Sequence, residues 1–111
     1  MRHDRQRLED IVAASEAIGA HMRRGGLDDG LVYDAVRVRL IEIGEAVKDI
    51  DPELLDSEAD IHWSAITGMR DHLAHRYFDT EHGIVAATIE EDIPPLIAAV
   101  GRLLEHPDLP G

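Results

Sequence analysis

Val32-Tyr33-Asp34-Ala35-Val36-Arg37-Val38-Arg39-Leu40-Ile41-Glu42-Ile43-Gly44-Glu45-Ala46-Val47-Lys48-Asp49-Ile50 decides the fold class. Val32, Val36, Leu40, Ile43, Gly44 and Val47 recur at helical spacing, and Ala35, Val38 and Ile41 broaden the apolar side. Such a stripe predicts an amphipathic helix from about Val32 to Ile50. Gly44 in its middle costs about 1 kcal/mol relative to alanine, which suggests that a neighbouring backbone passes close there. Asp51-Pro52 ends the element, because the residue before proline is pushed out of the helical region.

The same period continues on both sides. Leu8, Ile11, Val12, Ser15, Ile18, Gly19 and Met22 mark a long first helix. Arg23-Arg24-Gly25-Gly26 closes it with cations and then glycines. Residues 51–60 are acidic and loop-like, with one helical turn expected at Pro52–Leu55. A third helix is expected from about Ile61 to His75, burying Ile61, Ala65, Met69 and Leu73 with Trp63 and Ile66 at its margins. The last helical stretch, about Glu81 to Leu104, contains Pro94-Pro95, so Ile84–Asp92 and Leu96–Leu104 are expected as two segments bent around the bundle. With no strand-like alternation, the fold reads as an all-α antiparallel bundle of four to five helices. A single domain over residues 1–105 and a flexible tail over 106–111 complete the organisation.

Composition narrows the functions. At 111 residues the chain suits one domain. It has no cysteine, which excludes disulfides and thiolate metal sites. No apolar run approaches a membrane span and the charged start lacks a signal-peptide core, so a cytoplasmic protein is expected. Eleven Lys+Arg against 23 Asp+Glu give a formal charge of −12. Steering of RNA from a distance is therefore poor, yet screening acts over about 8 Å, and a local basic cleft can still hold a phosphate.

The chemistry concentrates in Arg70-Asp71-His72-Leu73-Ala74-His75-Arg76-Tyr77. A fixed guanidinium that grips phosphate, beside an imidazole that titrates near neutral pH, is a minimal kit for cleaving RNA without a metal. At about 100° per residue, Arg70 and His75 lie about 140° apart on a straight helix. They face one point if the helix ends near His75 or a second subunit completes the site. The bland alternative is a helix end where Arg and His meet C-terminal carbonyls and Tyr packs. His72 and His75 share a face at spacing three, but no third ligand accompanies them, so no metal is expected; His72 lines the cleft or meets solvent. Glu42 and Glu45 read as a solvated face paired with Arg37, Arg39 or Lys48, or as carboxylates that orient Arg70 or His75 across the bundle. His3, His21, His62, His82 and His106 have no evident company.

Three blocks resemble the HepT-like branch of the HEPN superfamily: Leu8-Glu9-Asp10-Ile11; Ala35-Val36 with Ile43-Gly44-Glu45-Ala46; and, most specific, the run from Ile61 to Phe78, including Gly68-Met69-Arg70-Asp71. Glu91-Asp92-Ile93-Pro94-Pro95-Leu96 resembles the family's last helix. The resemblance implies a HEPN-like helical bundle, a two-fold homodimer and a metal-independent endoribonuclease, the toxin of a toxin–antitoxin pair. It implies catalytic roles for Arg70 and His75, with Asp71, His72 and Arg76 in support. Arg76 stands where a small residue, often glycine, is common, and its charge would suit a phosphate. The partner so implied is a minimal nucleotidyltransferase antitoxin that adds AMP to Tyr77. RNA is the expected substrate, and no cofactor is expected. The alternative is a non-catalytic HEPN-like module that binds nucleotide or scaffolds that nucleotidyltransferase.

Overall fold

A computed structural model describes residues 3–75, 82–107 and 109, with the side chain of residue 75 excepted. Among these residues the secondary structure is entirely helical: α1 (Asp4–Met22), α2 (Gly30–Lys48), α3 (Pro52–Leu55), α4 (Trp63–His75), α5 (His82–Ala87) and α6 (Ile93–Leu104). The all-α bundle is thereby established. No helix among the described residues is long and apolar enough to cross a membrane.

Helix α2 is the central element, packed against α1 on one side and α4 on the other, while α6 packs on α1. Its start is fixed by Asp29, whose Oδ1 accepts the Leu31 N–H at 2.9 Å, a side-chain cap for an otherwise orphaned donor. Val32, Val36, Leu40, Ile43, Gly44 and Val47 are all buried, as their spacing predicts. From α1 the core receives Leu8, Ile11, Ala14, Ser15 and Ile18. Leu109 is also buried in this core.

The acidic connection folds as expected at Pro52–Leu55 and continues as a tight 3₁₀ turn over Asp56–Glu58. Proline fits the first turn of α3 because its missing N–H would lack a helical partner there anyway. Asp51 caps the turn through the Glu53 N–H at 2.9 Å. The Trp63 indole N–H then donates to the carbonyls of Leu55 and Glu58, both at 3.1 Å, which fixes where α4 begins.

Two expectations need correction. The last stretch divides into two segments as expected, but the second begins at Ile93 rather than Leu96, with Pro94-Pro95 inside the first turn of α6. Lacking N–H groups, they cannot serve the carbonyls four residues upstream. The chain responds with a wide π turn over Thr88–Asp92, in which the Ile93 N–H reaches Thr88 O, five residues back. The other correction concerns α4. It starts at Trp63 rather than Ile61, and Ala65 is exposed while Ile61, Met69 and Ile66 are only half-buried. Leu73 alone of its apolar stripe is fully buried. Periodicity identifies the side of α4 that turns inward, but α2 covers only part of that side.

Candidate functional site

Arg70 sits where α4 crosses α2 at Gly44. A Cβ built on Gly44 would overlap Arg70 Cβ and lie 2.8 Å from Arg70 Cγ and 3.3 Å from Arg70 Cα. The glycine therefore serves as the close approach its mid-helix cost suggested. The aliphatic stem of Arg70 rests on the α2 backbone, and its head emerges between two carboxylates.

Glu45 Oε2 accepts from Arg70 Nη2 at 2.7 Å, and Asp71 Oδ1 accepts from Arg70 Nη1 at 3.0 Å. Asp71 Oδ1 also accepts from Lys48 Nζ at 2.9 Å. The four charges alternate in sign around one small patch. Arg70 Nε is buried with no hydrogen-bond partner among the described residues. Donation to Glu45, and then to Asp71, raises the Arg70 pKa above its ordinary value, so the guanidinium is permanently charged. Lys48, then Arg70, holds the Asp71 carboxyl below the usual range. The two possibilities for the Glu42 and Glu45 pair thus divide between them. Glu42 takes Arg39 Nη1 at 3.0 and 3.1 Å on its own helix, whereas Glu45 reaches across to Arg70.

His72 is half-buried, and its Nε2 has neither solvent contact nor a hydrogen-bond partner among the described residues. Helix α4 carries its backbone through His75. The five residues from Arg70 to His75 advance roughly 7.5 Å along the helix axis. The side chain of His75, together with Arg76 and Tyr77, lies outside the described residues.

Two residues have partners other than those expected: Arg37, expected beside Glu42 or Glu45, and His82, expected to stand alone. Arg37 Nη2, on α2, donates to the Leu73 carbonyl at 2.8 Å and so ties α2 to the turn of α4 immediately before His75. Its spacing offered a signal: Arg37, Gly44 and Lys48 fall at i, i+7 and i+11, one side of a helix, and that side meets α4. The other is a stack of the buried Tyr33 ring on His82, with centroids 3.9 Å apart and planes at 21°. It anchors the start of α5 on the start of α2.

Protonation gives one test of this charge cluster. Asp71 has its pKa lowered on folding from 3.8, so its stabilising contribution is complete above that pH and disappears as pH falls through the lower folded value. Urea midpoints measured between pH 2 and pH 6 should therefore fall below about pH 4. Asp71→Asn should lack that component of the fall. Because the groups are exposed, the component is small. Identical pH profiles for the two proteins would contradict the geometry.

The sequence of this chain matches the family model "Ribonuclease HepT-like" over residues 6–103. It is 34% identical over 110 residues to "Putative RNase TTE0752" of Caldanaerobacter subterraneus subsp. tengcongensis, an alignment covering 95% of this chain and 97% of that protein. It is also 34% identical over 99 residues to "Probable ribonuclease HepT" of Thermococcus cleftensis, covering 86% of this chain and 90% of that protein. No solved structure matches. A match across nearly the whole helical bundle, including the Arg70-to-His75 stretch, establishes that the chain belongs to the HepT-like ribonuclease family of the HEPN superfamily.

Proposed function

We propose that this protein is a metal-independent endoribonuclease toxin in which Arg70 and His75 carry the chemistry. The observation that supports this most is the placement of Arg70: its stem is wedged against Gly44 and its head is held by Glu45 and Asp71. A cation fixed in this way has little reorganisation left to undergo when charge develops on a substrate. Its planar fork suits the non-bridging oxygens of a phosphodiester.

In the reaction, the substrate's own 2′-hydroxyl oxygen bonds to the adjacent phosphorus as the bond from phosphorus to the 5′-oxygen breaks. One proton leaves the 2′-hydroxyl and another is delivered to the departing 5′-oxygen. The products are a 2′,3′-cyclic phosphate and a 5′-hydroxyl. His75 transfers protons, because an imidazole is the side chain suited to proton exchange near neutral pH. Asp71 holds Arg70 in place, and His72 and Arg76 have supporting roles. A two-fold homodimer brings two such pairs together and doubles the local positive charge. The half-covered apolar side of α4 is consistent with a further layer of packing.

Regulation follows from Tyr77, two residues after His75. AMP added there by a minimal nucleotidyltransferase antitoxin places a phosphate and a nucleoside beside the imidazole, excluding RNA by volume and like charge. Incubation with that partner and ATP should add one AMP mass to the tryptic peptide containing Tyr77 and silence cleavage. Addition of AMP at another residue, with Tyr77 unmodified, would refute this regulation. A second reading, a nucleotide-binding or scaffolding module without catalysis, draws on the carboxylates already occupying both Nη atoms of Arg70. It predicts nucleotide binding by a protein that leaves RNA intact.

A further inference from the structure

Helix α2 grips α4 at two separate points, and the second has no part in the chemistry described above. At the first, the stem of Arg70 rests on Gly44. At the second, Arg37 Nη2 donates to the Leu73 carbonyl at 2.8 Å. Arg70 and Leu73 lie about one turn apart on α4, whereas Gly44 and Arg37 lie about two turns apart on α2. Residue numbers rise along α4 as they fall along α2, so the helices run antiparallel and the end of α4 lies toward Arg37.

The second grip falls where α4 is least able to hold itself. Leu73 stands in the last turn of the helix, whose carbonyls have no N–H four residues ahead within it. The half-buried Arg37 satisfies one of them from a neighbouring helix, and its positive charge suits the negative end of the α4 dipole. Lys48, Arg39, Arg70 and Arg102 all donate to carboxylates. A carboxylate can turn to follow its partner. The main-chain acceptor of Arg37 cannot, so this bond locates the α4 backbone itself.

We infer that Arg37 is a positioning residue for RNA cleavage: through the Leu73 carbonyl it fixes the end of α4, and so the approach of His75 to a phosphate held on Arg70. This inference rests on the ribonuclease reading. Arg70 does not depend on Arg37, because Gly44, Glu45 and Asp71 already hold it one turn upstream. His75 is the residue that does, since it lies two positions beyond Leu73 in the same last turn. The two groups of the proposed reaction are thereby set on one ruler, α2, by separate contacts. A displacement of about 1 Å at a reacting group costs as much as about 10²-fold in rate.

The test compares steady-state cleavage of one oligoribonucleotide by wild type, Arg37→Met and Arg37→Lys. Methionine keeps an unbranched stem and has no donor. It should lower kcat by about 10–10²-fold and leave KM unchanged, because Arg70 still binds the phosphate. Lysine can still donate to a carbonyl and should recover most of the lost kcat. A methionine variant with the kcat of wild type, one whose KM rises in step with its loss of kcat, or a lysine variant no better than methionine overturns the positioning role. A second readout needs no RNA. In long-range ¹H–¹⁵N spectra, Arg37→Met should move the imidazole resonances of His75 and leave the Arg70 Nε–H resonance in place. His75 resonances that stay where they are overturn the inference and leave the ribonuclease reading intact. A wild type that cleaves no RNA overturns that reading, and the positioning role falls with it.

Discussion

Arg70→Met should lower the rate of RNA cleavage by about 10²–10³-fold, the loss typical when one donor to a developing oxyanion is removed. Methionine keeps an unbranched stem over Gly44, so the α2–α4 contact persists and the loss reports the missing guanidinium. Arg70→Lys should fall between methionine and the wild type, because an ammonium retains charge but not the two-pronged geometry. Single-turnover cleavage of a labelled oligoribonucleotide, alongside far-ultraviolet circular dichroism, separates these effects. A methionine variant with undiminished turnover would remove Arg70 from the chemistry.

Gly44→Ala should destabilise the protein although alanine is the better helix former. The propensity gain is about 1 kcal/mol. Against it stands the overlap of the new Cβ with Arg70 Cβ, with Arg70 Cα only 3.3 Å away. These neighbours sit at the root of a side chain and cannot rotate aside, so α2 and α4 must separate. Overpacking of this kind typically costs about 1–3 kcal/mol. Gly44→Val adds further bulk and β-branching and should be worse. Each kcal/mol lost lowers the melting temperature by roughly 4–8 °C in a small domain. Cleavage should fall together with stability, since the displaced helix carries Arg70. A Gly44→Ala protein that melts higher than wild type would show that the helices do not approach this closely.

Much of this arrangement was legible in the residues. The α2 stripe fixed which side of that helix is buried, and the cost of Gly44 announced a close crossing. The turn at Pro52–Leu55 was expected, though not that Asp51 would cap it. What periodicity could not supply was the extent of cover. Ala65 belongs to the α4 stripe by spacing and is nevertheless exposed, because a stripe records which side is apolar and not how far a neighbour reaches over it. Nor does spacing along one helix choose partners on another. Glu42 and Glu45 are alike in sequence, and only the crossing angle of α4 gives Arg70 to Glu45. Lys48 on Asp71, Arg37 on Leu73 and His82 on Tyr33 are long-range pairs of the same kind. The prolines of α6 announced the division into two segments, but not that they would stand inside the first turn of the second, with a π turn upstream taking up the missing donors.

Metal-free cleavage of RNA by the imidazole of His75 and the guanidinium of Arg70 is directly measurable. Its most direct measurement compares wild type with His75→Ala, purified identically, on one oligoribonucleotide in excess EDTA. The wild type should yield fragments ending in 2′,3′-cyclic phosphate, and the variant should leave the RNA intact. Cleavage by the variant at the wild-type rate, or wild-type cleavage that stops in EDTA and returns with added Mg²⁺, would contradict it.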